Sequence, residues 1–320
     1  MKGFMKGCAI AALILVIAGI ILGTVASTAR GRNTISEVVE SVTGGRVRLN
    51  LNAAADDFGF TIGDWDWLDE VDYEIDSYHG FDKEYDIQKG DVSKFRLEGE
   101  INSLEIEAGG CYFVVKESGD ENFYVEAEKV GKFQAYVKSG ILHINTTTSE
   151  KKWSDLSKSK VVLYVPAGCR FERAEMQLGA GALDFPGLQA SEASLEVGAG
   201  RITSTGITVS NLEVSVGAGQ IELKDMDVSE LEASVSVGEM VAEGEIRQSL
   251  TAECAMGNFE LLLAGAQEDY NFNLSGAMGN VSLGGEGYGG FATERRIDNG
   301  SDRQIEVECS MGNVSIQFEN

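Results

Sequence analysis

Histidine and basic residues are scarce in this chain. Only 2 histidines, His79 and His143, occur in 320 residues, and none of the 5 cysteines forms a Cys-x-x-Cys pair. A zinc site needs three or four such ligands at close spacing, so none is expected. Lysine and arginine total 26 against 51 acidic residues, a formal charge of −25. That balance repels phosphate backbones and excludes nucleic-acid binding. It also opposes attraction to anionic lipid or wall polymer unless divalent cations bridge the two. No Leu-x-x-Leu-x-Leu followed by Asn appears, which excludes leucine-rich repeats.

Glycine is abundant, and it is periodic. A glycine, one variable residue and an apolar residue recur at Gly181, Gly200, Gly219, Gly238, Gly257, Gly279 and Gly312, at intervals of 19 four times, then 22 and 33. Seven residues before each glycine stand Ala174, Ala193, Leu212, Leu231, Leu250, Phe272 and Ile305. Five before stand Met176, Leu195, Val214, Ala233, Ala252, Leu274 and Val307. Three before stand Leu178, Val197, Val216, Val235, Cys254, Gly276 and Cys309. Polar residues lie between, and the alternation resumes after the glycine with Leu183, Ile202, Ile221, Met240, Phe259, Val281 and Val314. A period of two marks strands with one buried face. A fixed short repeat marks units stacked on one another.

The expected fold is all-β: a single-stranded parallel β-helix, or β-solenoid, with 19-residue coils, preceded by one N-terminal transmembrane helix. Each coil should hold a strand, a glycine corner, a second strand and a further short strand. Gly-Ala-Gly and Met-Gly-Asn at the corners suit the positive φ that a sharp bend takes. Seven coils at the sheet spacing make a column roughly 30 Å long. Cys254 and Cys309 share one inward column. With the Gly279 coil between them they would lie about 9–10 Å apart, beyond disulfide reach. They read as small core residues.

Residues 8–26 carry no charge. As a helix they span about 28 Å, close to the bilayer core. The chain therefore divides into a short cytoplasmic tail (1–6), a transmembrane anchor (7–27), an acidic linker with interleaved aromatics (28–91) and a solenoid domain (92–320) with regular repeats over about 174–320. Val25-Ala26-Ser27 also offers small residues for signal cleavage, the alternative to an uncleaved anchor. The short N-terminal tail suits a single-pass membrane protein whose solenoid is extracytoplasmic. From Asp56 to Asp91 there are 13 acidic residues and 2 lysines, a composition suited to a self-repelling spacer or to a cation- or partner-binding strip.

Residues 92–170 read as less regular strands: Phe95–Leu97, Leu104–Ile106, Tyr112–Val115, Phe123–Val125, Ala135–Val137, Ile141–Ile144 and Val161–Val165. Ser139–Ile144, Val161–Gly168, the repeats that begin Leu178–Leu183 and the closing Met311–Ile316 together resemble a bacterial adhesin-like domain family of unknown function (DUF4097-like). The resemblance covers about residues 92–320. It implies a β-helix of membrane-anchored envelope proteins, in some cases encoded with envelope-stress signalling systems. The family carries no established catalytic residues.

Gly285–Gly290 satisfies Gly-x-Gly-x-x-Gly, and Ser157 to Lys160 satisfies Ser-x-x-Lys, but neither has its companion elements. Outward carboxylates stack in columns: Glu175, Glu213, Glu232 and Glu306 in one, Glu196, Glu253 and Glu308 in another. They form a solvated face or a divalent-cation site. The long interval after Gly279 inserts a loop in which Tyr288, Phe291, Arg295 and Arg296 are the candidate interaction residues.

The expectation is a non-enzymatic envelope protein without cofactor, metal or catalytic site. Its solenoid would bind an envelope protein or a cell-wall glycan. An envelope-stress accessory is the alternative, and a polysaccharide-degrading enzyme the lesser one.

Overall fold

The computed structural model describes residues 47–51, 58–62, 81–148, 158–289 and 293–319. The tail and anchor expected at 1–27, and most of the acidic stretch up to residue 80, lie outside the described residues. So do 151–157 of the polar loop, with Ser157, and Phe291. Among the described residues no helix is long and apolar enough to cross a membrane. The chain forms two units, 1–80 and 81–320. In the first, β1 (Val47–Leu51) pairs antiparallel with β2 (Phe58–Ile62).

The second unit is built of β3 (Gln88–Arg96), β4 (Ser103–Glu117), β5 (Tyr124–Lys138), β6 (Ile141–Thr148), β7 (Lys160–Val165), β8 (Arg170–Val197), β9 (Arg201–Val216), β10 (Gln220–Val235) and β11 (Glu239–Cys254). After these come β12 (Asn258–Ala264), β13 (Asn271–Gly276), β14 (Asn280–Leu283), β15 (Glu286–Gly289), β16 (Thr293–Ile297), β17 (Gln304–Cys309) and β18 (Asn313–Glu319). Apart from 3-10 geometry at Lys158 and at Gln267–Asp269, no helix occurs among the described residues.

The 19-residue period is the register of a parallel ladder. Gln220 of β10 pairs with Arg201 of β9 on one side and Glu239 of β11 on the other. Pairing within a coil breaks twice, so each coil has three sides. In β10 they are Gln220–Lys224, Asp227–Val228 and Glu230–Val235. Every inward column read from the alternation is buried, from Ala174 and Met176 to Ile305 and Val307. Ser204 is the polar member of its column, 1 % exposed, and its Oγ has no hydrogen-bond partner.

Six of the seven corner glycines have a different cause from the one expected. Gly200, Gly219, Gly238, Gly257, Gly279 and Gly312 do not take positive φ. They are needed because coils approach closely there. A Cβ on Gly200 would lie 2.7 Å from the Gly181 carbonyl oxygen, and one on Gly312 2.5 Å from that of Gly257. Gly181, the first of the series, does take the expected positive φ, at 94°, and so does a second corner that the repeat leaves unmarked: Gly187, Gly206, Asp225 and Gly244, at φ 51°, 82°, 50° and 146°.

The coils are not stacked in chain order at either end. β17 and β18 lie between β11–β12 and β13–β14, pairing in parallel with both. The C-terminal coil therefore sits inside the column, one level in from the Gly279 coil. The 22-residue interval follows from this, since the chain must skip a level to reach β13. Cys254 and Cys309 are consequently direct register partners on adjacent strands. The two-coil separation expected for them is wrong because it assumed that coils stack in chain order.

At the other end β4 lies between β8 and the pair β6 and β7. Both ends finish in antiparallel strands: β5 and β3 at one, β15 and β16 at the other. Such strands shield the hydrogen-bonding edge that a stack of parallel coils otherwise exposes.

Ahead of β3 a strap fastens to the outside of β5. Gln134 donates from Nε2 to the Asp82 and Tyr85 carbonyl oxygens at 2.7 and 2.8 Å, and accepts from Asp82 N at 2.9 Å. Tyr85 stacks on Tyr136 at 3.9 Å between centroids.

Candidate interaction surface

The insertion after Gly279 is the terminal cap. β15 pairs antiparallel with β14, setting Tyr288 opposite Val281. β16 pairs antiparallel with β13, setting Arg295 opposite Leu274 and Arg296 opposite Asn273. Val281 and Leu274 point inward, and paired residues share a face, so Tyr288 and Arg295 extend over the end of the core. Tyr288 packs against that core, and the Arg295 guanidinium lies 5.6 Å from its ring centre. Arg296, opposite an outward residue, faces solvent. Of the four insertion residues singled out, Tyr288, Arg295 and Arg296 thus sit on one small cap, with both arginines exposed.

The outward columns run straight along the parallel ladder. Ser194, Glu213, Glu232, Thr251 and Glu306 follow one another on successive coils. Glu253 faces Glu308 directly, a neighbour relation created by the displaced C-terminal coil. Beside this column a shallow concavity is lined by Glu192, Asn211, Glu230 and Ser249, with Arg173 at one end. Glu196 is pushed above the usual carboxylate range by burial and by Glu213. Around the corner, Glu222 bridges Lys224 at 2.7 Å and Arg201 at 2.5 Å, which hold its carboxyl below that range. Among the described residues no group of three or more His, Cys, Asp and Glu could hold a metal ion.

A second polar surface lies on β4, β5 and β6. Glu105, His143 and Tyr136 form one row in register, with His143 Nδ1 3.1 Å from Glu105 Oε2 and its ring stacked on Tyr136. The next row holds Gln177, Glu107, Asn145 and Gln134. Glu107 is 9 % exposed and its Oε2 has no partner. Burial, with the charges of Glu105 and Glu175, pushes its carboxyl up to about 7. Alternation marks Glu105 and Glu107 alike as outward, so no signal in the sequence separates the buried acid from the exposed one. Nearby, Lys94 Nζ sits 3.6 Å from the Tyr164 ring centre and 4.8 Å from that of Tyr124.

No curated protein matches the sequence. Among solved structures, a candidate adhesin from Bacteroides fragilis is 14% identical, with a TM-score of 0.39 over 73% of this chain and 97% of its own. A candidate cell adhesion protein from Clostridium sporogenes is 11% identical, with a TM-score of 0.32 over 71% and 100%. A candidate lipid binding protein from Parabacteroides distasonis is 14% identical, with a TM-score of 0.35 over 72% and 98%. Superpositions this loose fix no residue-level correspondence. The family model described as Toastrack DUF4097 matches residues 101–317, the whole stack from before β4 into β18, and the chain belongs to that family.

Proposed function

We propose that this protein is a non-enzymatic component of the bacterial envelope. Its stacked coils act as a β-solenoid scaffold for adhesion or for protein or glycan binding. In this reading residues 7–27 anchor the chain in the cell membrane, and the solenoid is extracytoplasmic. The observation that carries it is the outward column of Ser194, Glu213, Glu232 and Thr251 on successive coils. Side chains repeating at about 4.8 Å along a rigid ladder suit an extended partner that makes the same contact many times. The acidic surface selects a neutral or basic partner over an anionic polymer.

The test has two parts. Protease added to intact, wall-stripped cells should digest exposed loops of residues 92–320 without lysis. Cleavage seen only after lysis would reverse the topology. Recovery from detergent-solubilised envelopes should then retrieve a partner that is lost when Glu213 and Glu232 are both changed to Lys. Equal recovery by the variant would remove the acidic column from the binding surface.

A further inference from the structure

We propose that Cys254 and Cys309 form an intramolecular disulfide that fastens the C-terminal coil into the column. The two are register partners at the ends of β11 and β17. Both are buried, at 2 % and 0 % exposure. Cα atoms on adjacent parallel strands lie about 4.8 Å apart, inside the range of about 4.4–6.8 Å for cystines.

The Cys254 thiol already reaches into the gap between the coils. It donates to the Gly257 carbonyl at 3.2 Å and lies 3.9 Å from the Asn313 carbonyl. The Cys309 sulfur leans the same way along the column, away from Cys254 and toward Gly279, where a Cβ would collide with it. Rotation of Cys309 about its Cα–Cβ bond turns that sulfur back toward Cys254. No other cysteine in the second unit competes. Cys111 lies on β4, five levels from Cys254 and so about 24 Å away, and Cys169 lies just before β8, beside β4.

The oxidant is a disulfide, such as oxidised glutathione or the cystine of a thiol oxidase. One of the two cysteine thiolates attacks one sulfur of it, forming a mixed disulfide and expelling one thiolate. The other cysteine, deprotonated in turn, attacks the first cysteine's sulfur, closing the bond and releasing the second thiolate. Two protein thiols become one cystine, one external disulfide becomes two thiols, and the protons pass to the released thiolates. Both protein thiols are inaccessible once the column is closed. Exchange therefore takes place while the terminal coil is still open.

The test uses the full chain, refolded with oxidised and reduced glutathione. Thiols are then blocked in denaturant, and peptides are mapped without reduction. The expected result is one linked peptide pair containing Cys254 and Cys309, with Cys111 and Cys169 blocked as free thiols. The oxidised form should unfold at a higher denaturant concentration than the same protein after reduction, and Cys309→Ala should abolish that difference. Cys254 and Cys309 blocked as free thiols after oxidative refolding would overturn the proposal. So would linkage of either to a different cysteine. The comparison of oxidised with reduced wild type remains decisive if the variant fails to fold.

Discussion

Gly238 has ordinary φ, yet no larger residue fits there. A Cβ would run into the carbonyl oxygen of Gly219 and the side chain of Val216 on the preceding coil. Gly238→Ala should therefore cost about 1–3 kcal/mol through a forced backbone shift. Asp225 is the reverse case. It is the non-glycine member of its corner column, at φ 50°. Asp225→Gly should be neutral or stabilising by up to about 1 kcal/mol, because relief of left-handed strain offsets the entropy of an added glycine. Denaturant midpoints of the two variants, measured side by side, should move in opposite directions or leave the second unchanged.

Glu107 gives a pH dependence of known sign. Its carboxyl titrates near 7 in the folded chain against 4.5 ordinarily. Between those values the folded state holds a proton that the unfolded state has released. Stability therefore falls as pH rises through that window, and the full penalty applies above it. Glu107→Gln should raise stability at about pH 8, change little at about pH 4, and flatten the slope between. An unchanged slope would show that the carboxyl is better solvated than its 9 % exposure indicates.

At the scale of the strand, the period of two decides which substitutions are tolerated. Val216 is 1 % exposed, while Ser215 beside it is half-exposed. Val216→Asp buries an unpaired charge and should cost more than about 4 kcal/mol, unfolding neighbouring coils together. Ser215→Asp should stay within about 0.5 kcal/mol of wild type. Equal melting temperatures would contradict the assignment of faces.

The cap makes a further prediction. Replacing 285–297 with a short Gly-Ser linker removes β15 and β16 and exposes the edges of β13 and β14. The variant should melt earlier and self-associate in a concentration-dependent way, visible by size-exclusion chromatography. Arg296→Ala, by contrast, removes no packing contact and should leave the melting temperature unchanged.

At the scale of the molecule, the sequence made some features plain and hid others. The inward columns were legible because the same alternation recurs with every coil, from Ala174 to Val314. The strands over 92–170 were legible in part from their β-branched and aromatic runs, but Leu104–Ile106 and Tyr112–Val115 belong to one long strand, β4, and Val125 and Ala135–Val137 to another, β5. The order of the last coils was not. Phe272 and Ile305, or Leu274 and Val307, satisfy the same inward positions whichever coil is outermost, so the pattern is silent on which one lies inside. The pairing of the insertion back onto the stack is hidden for a related reason: nothing in residues 285–297 marks Tyr288 and Arg295 as register partners of Val281 and Leu274. The acid columns were read correctly as outward, but the contact of Glu253 with Glu308 follows only from the true order of the coils.

That order bears on how the chain comes into being. Residues 304–319 leave the ribosome after all the earlier strands of the second unit, yet they fill an interior level of the stack. From β8 onward growth can proceed rung by rung as far as β12 and must then wait. The cap strands β13 to β16 are synthesised before the rung they are to cover exists. A chain cut short after residue 303 is thus missing an inner rung and not a tail. Its vacancy is bounded on both sides by unpaired strands. A synthetic peptide of residues 304–319 should enter that slot in trans and restore the lost thermal stability. Without it, the terminus of a second chain is the natural substitute, and premature termination becomes a route to exchange between nascent copies.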